Sequence, residues 1–348
     1  MKKPGANELA LLACNKKPPI PPGTDVYIAG EHSGGYSTVA GYYKNGIFIR
    51  VADDTLVNSE AYGLVVAGND VYVAGAEPAP GSKNFKAVYW KNGVSHFLDY
   101  GCGNGYSTAN DIAVVGNDVY VIGDYTDLNT HHTSGIIWKN GIAHNLDFNG
   151  YQTGARGLAV KGGDIYISGY SSGSNSAYTT ATIWENGVPK RLTNSGVSWA
   201  NLYAITLDGN DVYVAGYTAP DPNGLETAVY WKNGIKHFLG NNAFPSDIIF
   251  NDNKVYAVGT QIFEPDNIIT QATYWINNPQ TFTNANTQKF FGIKGGDYAA
   301  YEGRCIAISG NNLYMTAYQM PDLYLFINRM PIKIAKDAGY GKLVVVHH

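Results

Sequence analysis

Apolar residues run almost without interruption through short segments of this chain, and turns rich in Gly, Asn and Asp separate the segments. Over 109–146, "ANDIAVVGN" ends in a turn, "DVYVIGDY" follows directly, "SGIIWKNG" comes after a variable stretch, and "IAHNL" follows the next turn. The "GND" and "KNG" turns tolerate the positive φ that tight hairpins need. A strand with one wet face would alternate, so near-continuous apolarity predicts strands covered on both faces.

The same pattern recurs along the chain. A Val, Ile or Leu followed by Tyr marks each repeat, at spacings of 45, 48, 46, 47, 43 and 58 residues. This period is typical of propeller blades, in which four-stranded sheets stack face to face around a ring, and it leaves no room for a second domain. The marker pairs are Val26-Tyr27, Val71-Tyr72, Val119-Tyr120, Ile165-Tyr166, Val212-Tyr213, Val255-Tyr256 and Leu313-Tyr314.

The two ends of the chain predict how the ring closes. We name the strands of each repeat A to D in chain order, with A innermost. The first repeat begins directly at its B strand, "TDVYIAGE", and the last repeat is followed by an additional strand, "KLVVV". We therefore predict an all-β, seven-bladed β-propeller of four-stranded antiparallel blades, in which strand 342–346 closes the first blade as its innermost strand. A six-bladed ring with a decayed final repeat is the alternative.

The blade pattern, as in "IAVVGNDVYV", resembles that of seven-bladed propellers of the NHL or YncE kind over positions 25–346. It is also similar to repeat-bearing surface lipoproteins of the Bacteroidetes. The resemblance implies the fold and almost nothing about chemistry. Gly-Gly does not recur at one position of each repeat as it does in kelch repeats, and the Trp-Asp of WD40 repeats and the Asp-box of sialidases are absent from the sequence.

The N-terminus has features of a lipoprotein signal. Lys2 and Lys3 precede "ELALLAC", and Leu-x-small-Cys ending at Cys14 is the pattern of a bacterial lipid-attachment site. The apolar stretch is short and contains Glu8, so a chance Cys in an ordinary tail is the alternative. We expect residues 1–23 to be a lipoprotein-signal-like segment and tether, and 24–348 a single propeller. The protein would be exported and anchored in the outer membrane through Cys14, on its periplasmic or its surface side.

The composition limits the classes of partner that this protein is expected to bind. Charged residues are 15% of the chain and the formal net charge is -4, so nothing supplies the basic face that nucleic acid requires. No apolar run approaches 18 residues, so we expect membrane contact only through the lipid. The cysteines Cys14, Cys102 and Cys305 are too few and scattered for a disulfide framework or a zinc site, and we expect free thiols at the latter two. We predict no metal and no cofactor.

Loop lengths predict which face is functional. Because strands alternate in direction, the short A–B and C–D turns share one face of the ring, and the long, variable B–C and D–A loops share the other. Binding residues gather on loops held by a rigid frame, although neutral drift would also vary loops. The loop face is rich in aromatic and amide side chains, which suit sugar rings and protein partners alike. Trp199 lies off the repeat register in a predicted loop, whereas five other tryptophans share one position on strand C and indicate blade packing: Trp90, Trp138, Trp184, Trp231 and Trp275.

Residues that begin each A strand break the repeat pattern and should point at the mouth of the central channel. They include three cations and two carboxylates, which would bind an anionic or polyhydroxylated ligand, or would form a solvated funnel of compensating charges. The candidate ligand-binding residues, with Trp199, are Tyr62, Asn110, Asp111, Arg156, Tyr203, Asp247, Arg304 and Lys342.

Catalytic signals are weak. No Gly-x-Ser-x-Gly elbow is present, and His131-His132 would need metal ligands from other loops. We therefore expect a non-enzymatic propeller whose loop face binds a glycan or an envelope protein. The alternative is a glycan hydrolase or lyase at the channel mouth, where Asp111 and Asp247 could face each other as a carboxylate pair. A purely structural role in an envelope assembly is a third possibility.

Overall fold

The structure of the protein is a computed structural model, and it forms a ring of β-sheets. It describes residues 20–33, 37–52, 58–79, 84–100, 104–147, 149–173, 178–194, 199–219, 226–262, 270–277, 287–290, 302–319, 322–336, 338–339 and 341–348. Regular structure in these segments consists of strands, arranged in seven four-stranded antiparallel sheets. The seven-bladed prediction is confirmed and the six-bladed alternative is wrong. Within the described segments, no helix is long and apolar enough to span a bilayer.

Each blade follows the predicted A-to-D order. In the first half of the ring, blade 1 contains β1 (Thr24–Ser33), β2 (Thr38–Lys44) and β3 (Ile47–Arg50); blade 2 contains β4 (Glu60–Ala67), β5 (Asp70–Pro78), β6 (Phe85–Lys91) and β7 (Val94–Phe97); blade 3 contains β8 (Gly105–Val115), β9 (Asp118–Asp127), β10 (Thr133–Lys139) and β11 (Ile142–Asn145).

The second half repeats this order and adds the closing strand. Blade 4 contains β12 (Gln152–Lys161), β13 (Asp164–Ser172), β14 (Thr180–Glu185) and β15 (Val188–Arg191); blade 5 contains β16 (Trp199–Asp208), β17 (Asp211–Ala219), β18 (Thr227–Lys232) and β19 (Ile235–Asn241); blade 6 contains β20 (Ala243–Asn251), β21 (Lys254–Ile262), β22 (Thr270–Asn277) and β23 (Thr287–Phe290); blade 7 contains β24 (Glu302–Ser309), β25 (Asn312–Gln319), β26 (Asp322–Ile327) and β27 (Met330–Lys336); β28 (Leu343–His347) returns to blade 1.

The C-terminal strand closes the ring as its sequence predicted. β28 pairs antiparallel with β1, from Thr24 opposite His347 to Ile28 opposite Leu343. It begins one residue later than predicted, because Lys342 joins two blades instead. The Lys342 amide donates to the Tyr62 carbonyl in blade 2 at 2.8 Å, and its carbonyl accepts from Ala29 in blade 1 at 2.9 Å. The inner strands contact one another around the ring and enclose the channel.

The repeated tryptophans on the C strands are packing residues, as their shared register indicated. All five are at most 1% exposed, and each packs in the apolar layer between its own blade and the preceding one. Two of them also bond the preceding blade through the indole N–H. Trp138 donates to the Asp99 carbonyl at 2.8 Å and Trp184 to the Leu146 carbonyl at 3.1 Å. The tryptophans therefore hold neighbouring blades together.

Repeated polar side chains lock the short-turn face. In blade 3, Asn140 and Gly141 form the C–D turn with φ of 52° and 83°. The Asn140 amide accepts from the Val119 backbone at 2.9 Å and donates to Asp118 at 2.8 Å, and Lys139 reaches the same carboxylate at 3.0 Å. Blades 1, 2 and 5 repeat this arrangement. The repeated "DVY" and "KNG" motifs therefore bind each other and stabilise the turns of the short-turn face.

Deleting residues 342–348 should open the ring. The deletion removes strand A of blade 1 and exposes Val26 and Ile28, which are each 1% exposed in the intact protein. Losing the burial of Leu343 alone should cost about 1.5–3 kcal/mol, and the lost strand pairing adds to that. Thermal unfolding should show a markedly lower Tm. His348→Ala, which changes a side chain that is 61% exposed, is the control. An unchanged Tm after the deletion would contradict closure by this strand.

Candidate functional site at the channel mouth

The inner strands place one extra residue each at the mouth of the channel. In blades 2 to 7 the pairing of strand A with strand B shifts register once, so that two residues on A oppose one on B. Such a bulge leaves a residue unpaired and redirects its side chain. The residues at the shifts are Tyr62, Asn110, Arg156, Tyr203, Ser246 and, in blade 7, Arg304 with Cys305.

A glycine on strand B makes room for the bulge. A Cβ on Gly123 would lie 1.8 Å from the Thr108 carbonyl oxygen of strand A, and one on Gly216 would lie 1.9 Å from that of Asn201. No side chain fits at such a distance. The same holds in three other blades, where a Cβ would lie 1.9 to 2.0 Å from a carbonyl oxygen of strand A at Gly75, Gly169 and Gly259. In blades 2 to 6 the inner-strand bulge therefore requires the glycine of strand B, whereas in blade 7 Ala317 holds this position and pairs with Gly303 on strand A.

The bulge residues surround a pocket of about 600 Å³ that opens on the axis of the ring. This volume is within the usual range of small-molecule sites, roughly 300–1,000 Å³. The pocket extends from the axis toward blade 6. Its lining residues are Tyr62, Asn110, Arg156, Tyr203, Phe244, Ser246, Thr260, Ile262, Thr270, Glu302, Arg304, Cys305 and Gly341.

Arg156 is held by a carboxylate from the neighbouring blade. It forms an ion pair with Asp124 of β9, and its guanidinium lies over the Tyr170 ring at 5.4 Å. Asp124 also accepts from the Asn110 amide at 3.1 Å and from the Ala155 backbone at 2.9 Å. Burial alone would lower the pKa of Arg156, but the charge and hydrogen bond of Asp124, together with the nearby Tyr170 and Tyr203, outweigh it and raise this pKa. The network presents donors and acceptors in one fixed arrangement.

Carboxylates accompany two other bulge residues. Arg304 forms an ion pair with Glu302, two residues before it on β24. The Tyr62 hydroxyl donates to Glu60 of β4. Glu31 lies near Glu60, and burial, with the charge of Glu60, raises the pKa of Glu31 to about 7. The mouth therefore carries several acidic groups beside its arginines.

Aromatic rings form one wall of the mouth, between blades 5 and 6. Tyr203 stacks on Tyr217 with ring centroids 6.0 Å apart, and Phe244 meets Tyr217 edge-on at 5.4 Å. Tyr203 and Phe244 line the pocket directly. Burial raises the pKa of Tyr217 to about 12, so its hydroxyl stays protonated at physiological pH. The wall offers flat apolar faces next to the polar Arg156 network.

A second layer of polar residues lies one position beyond the bulges. Lys342 Nζ binds both oxygens of Asp111, at 3.0 and 3.3 Å, and so joins blades 1 and 3. Asp111 accepts from the Leu158 backbone at 3.1 Å, and Asp247 accepts from that of Ile306 at 3.0 Å, each in the next blade. These carboxylates therefore staple neighbouring inner strands. Burial raises the pKa of the Cys305 thiol to about 12, which leaves it unreactive as a nucleophile.

The structure divides the candidate residues between these two layers. Tyr62, Asn110, Arg156, Tyr203 and Arg304 line the pocket. They lie within the inner strands rather than ahead of them, because pairing with strand B continues past each bulge.

The other candidates lie elsewhere. Asp111, Asp247 and Lys342 form the second layer, so the two carboxylates engage backbone amides and a lysine. Trp199 is the first residue of β16 rather than a loop residue, and it does not line the pocket. Cys14 and Cys102 lie outside the described residues, while Cys305 is a free cysteine.

Sequence reasoning missed the carboxylates of the mouth. Asp124 and Glu31 follow the strand-B glycine position, where other blades carry residues such as Ala76 or Tyr170. A carboxylate at that place in an apolar strand was the available signal. His132, which would have needed ligands from other loops to bind a metal, bonds Asp147 at 2.9 Å. No cluster of three potential metal ligands occurs in the portion of the chain that the structure describes.

The Asp247 carboxyl should make stability fall as the pH rises. Burial raises its pKa to about 6, although Lys342 and two backbone amides oppose the shift. The folded state therefore binds this proton more tightly, and the stabilisation, present below pH about 4, is lost as the pH rises through about 6. The effect is at most roughly 3 kcal/mol.

Denaturant unfolding at pH 4.5 and pH 7 tests this expectation. Asp247→Asn should lose less stability than the wild type over that interval, since it has no proton to release. Asp208→Asn, at an exposed carboxylate that ends β16, should follow the wild type. Equal pH dependence in Asp247→Asn and the wild type would contradict the assignment.

No protein-family model matches the sequence, and no curated protein matches it. Among solved structures, the chain is similar to the computationally designed Ika8 protein, at 13% identity and a TM-score of 0.43, over 89% of this chain and 82% of that one. It is similar to the β-propeller domain of the Trilobed protease from Pyrococcus furiosus, at 11% identity and a TM-score of 0.43, over 81% of this chain and 85% of that one. It is also similar to the GH43 endo-arabinanase from Bacillus licheniformis, at 12% identity and a TM-score of 0.36, over 85% of this chain and 95% of that one. These values support no conclusion about chemistry.

Proposed function

We propose that this protein is an exported, lipid-anchored binding propeller whose channel mouth takes a glycan. The observation that carries the proposal is the pocket of about 600 Å³, with an aromatic wall on one side and anchored polar groups on the other. Sugar rings present apolar C–H faces and hydroxyls that both donate and accept. Tyr203 and Phe244 would pack against the former, while Arg156, Asn110 and Ser246 would bond the latter.

The second polar layer supports binding rather than hydrolysis. Asp111 and Asp247 accept hydrogen bonds from backbone amides and lie near Lys342. These contacts favour a role in stabilising the ring over a role in cleaving a glycosidic bond. A glycan hydrolase or lyase is the second candidate, because Glu31 has a pKa of about 7 beside Glu60, as a general acid near neutral pH would require. Turnover of a bound glycan that is lost in Glu31→Gln would favour that candidate.

The position of the chain ends supports the anchored arrangement. β1 begins at Thr24 opposite His347, so both ends of the ring lie on the short-turn face. Cys14 lies ten residues before Thr24, a reach of at most about 35 Å. A lipid at Cys14 would thus hold the short-turn face toward the outer membrane and direct the pocket away from it. We also propose that the blades are related to those of NHL or YncE propellers and of Bacteroidetes surface lipoproteins, from the blade pattern and the Cys14 motif.

Glycan binding should depend on the pocket. The full chain carrying Cys14→Ser, which removes the lipid site, is applied to a glycan array, and hits are measured by calorimetry. Tyr203→Ala and Arg156→Ala should each weaken binding at least tenfold, about 1.4 kcal/mol, because they remove the stacking surface or the principal donor. Phe238→Ala, at an aromatic side chain that is 46% exposed on outer strand β19, is the control.

The absence of saturable binding to any glycan would overturn the glycan proposal. An envelope protein would then be the expected partner, to be isolated by pull-down from envelope extracts. Equal weakening by Phe238→Ala would show that the sugar binds outside the pocket.

Lipid attachment should require Cys14. In a bacterium with lipoprotein processing, metabolic labelling with a fatty acid should mark the wild type and Cys102→Ser equally, and should not mark Cys14→Ser. The labelled protein should fractionate with the outer membrane. An unlabelled wild type, or label that persists in Cys14→Ser, would contradict anchoring at this residue.

A further inference from the structure

The arginines of the mouth are already neutralised by the protein. Asp124 pairs with Arg156 and is itself fixed by two further donors, the Asn110 amide and the Ala155 backbone. A carboxylate held by three partners does not move aside when a ligand arrives. Glu302 forms an ion pair with Arg304, and both of these residues line the pocket. Each guanidinium therefore presents itself together with a carboxylate.

The surroundings make the mouth acidic. Lys342 is paired with Asp111, Glu60 is bonded to Tyr62, and Glu226 lies close enough to Tyr203 to affect its titration. Glu31 and Asp247, with pKa values of about 7 and 6, add partial negative charge at neutral pH. Even without those two, three cations of the described residues, Arg156, Arg304 and Lys342, face five described carboxylates: Asp111, Asp124, Glu302, Glu60 and Glu226.

An acidic sugar would meet unfavourable interactions in this pocket. Its carboxylate or sulfate would have to displace Asp124 or Glu302 from an arginine, or lie near like charge, because the cations that the structure describes at the mouth are already paired. A neutral sugar has no such conflict. Its hydroxyls can accept from Arg156 and donate to Asp124 or Glu302 at the same time. Ion pairs of this kind therefore favour uncharged, hydroxyl-rich ligands.

We propose that the mouth is selective for neutral oligosaccharides over acidic ones, and that Asp124 and Glu302 are the residues that determine this selectivity. The inference rests on the proposed glycan-binding function. It assigns to these carboxylates the exclusion of anionic ligands, in addition to the positioning of the arginines.

The test compares neutral hexose oligosaccharides with the corresponding uronates and sulfated forms, by calorimetry on the full chain carrying Cys14→Ser. The wild type should bind the neutral form at least about tenfold more tightly, and changing salt from 50 to 500 mM should alter that binding less than twofold. The double variant Asp124→Asn, Glu302→Gln frees both guanidinium groups and should reduce or invert the preference. Glu185→Gln, at an exposed carboxylate that ends β14 on the short-turn face, should leave it unchanged.

The outcomes separate this inference from the function on which it rests. Equal or tighter binding of the uronate by the wild type would overturn the selectivity while leaving glycan binding intact. Failure to bind any neutral or acidic sugar would overturn both. If the double variant does not fold, the wild-type preference and its salt dependence still decide the question, because strong weakening by salt would indicate ion pairing with an anionic ligand.

Discussion

The inner strands of blades 2 to 7 each contain one residue more than their partner strands can pair, and in blades 2 to 6 a glycine on strand B makes this possible. A carbonyl oxygen of strand A occupies the space where a Cβ would stand, for example 1.8 Å from that position at Gly123. The extra residue cannot join the ladder, so its side chain is free to face the channel. Repeated around the ring, this defect builds a pocket from an otherwise regular scaffold.

The same repeat explains why one face is uniform and the other varies. On the short-turn face, the Asp of "DVY" binds the Lys and Asn of "KNG", so both motifs must be kept together. Between blades, the strand-C tryptophans fill the apolar layers. Each of these exposed turn contacts contributes little alone, but together with the buried tryptophans they leave few positions free to change. The bulge residues take part neither in the turn contacts nor in the tryptophan layers, so they can differ from blade to blade.

Much of the fold could be predicted from the sequence because the sequence repeats. The spacing of the Val/Ile/Leu-Tyr pairs predicted seven blades, and the unpaired strands at the two ends of the chain predicted how the ring closes. The residues of the mouth stood out where the pattern broke, but their setting was misjudged. A break in a run of apolar residues looks like the end of a strand, whereas at Arg156 and Tyr203 the strand continues past a bulge. The partners were also hidden, since the pairing of Arg156 with Asp124 joins residues that are 32 positions apart.

The charges of the channel serve two purposes at different depths. Asp111, Asp247 and Lys342 tie inner strands together, while Arg156 and Arg304, each with its carboxylate, face the pocket. The central claim is that bulge residues make the binding site. A crystal structure of the protein with a neutral oligosaccharide tests it most directly. The account predicts sugar density within hydrogen-bond distance of Arg156 and against the Tyr203 ring. Sugar bound only on the outer strands or the short-turn face would contradict it.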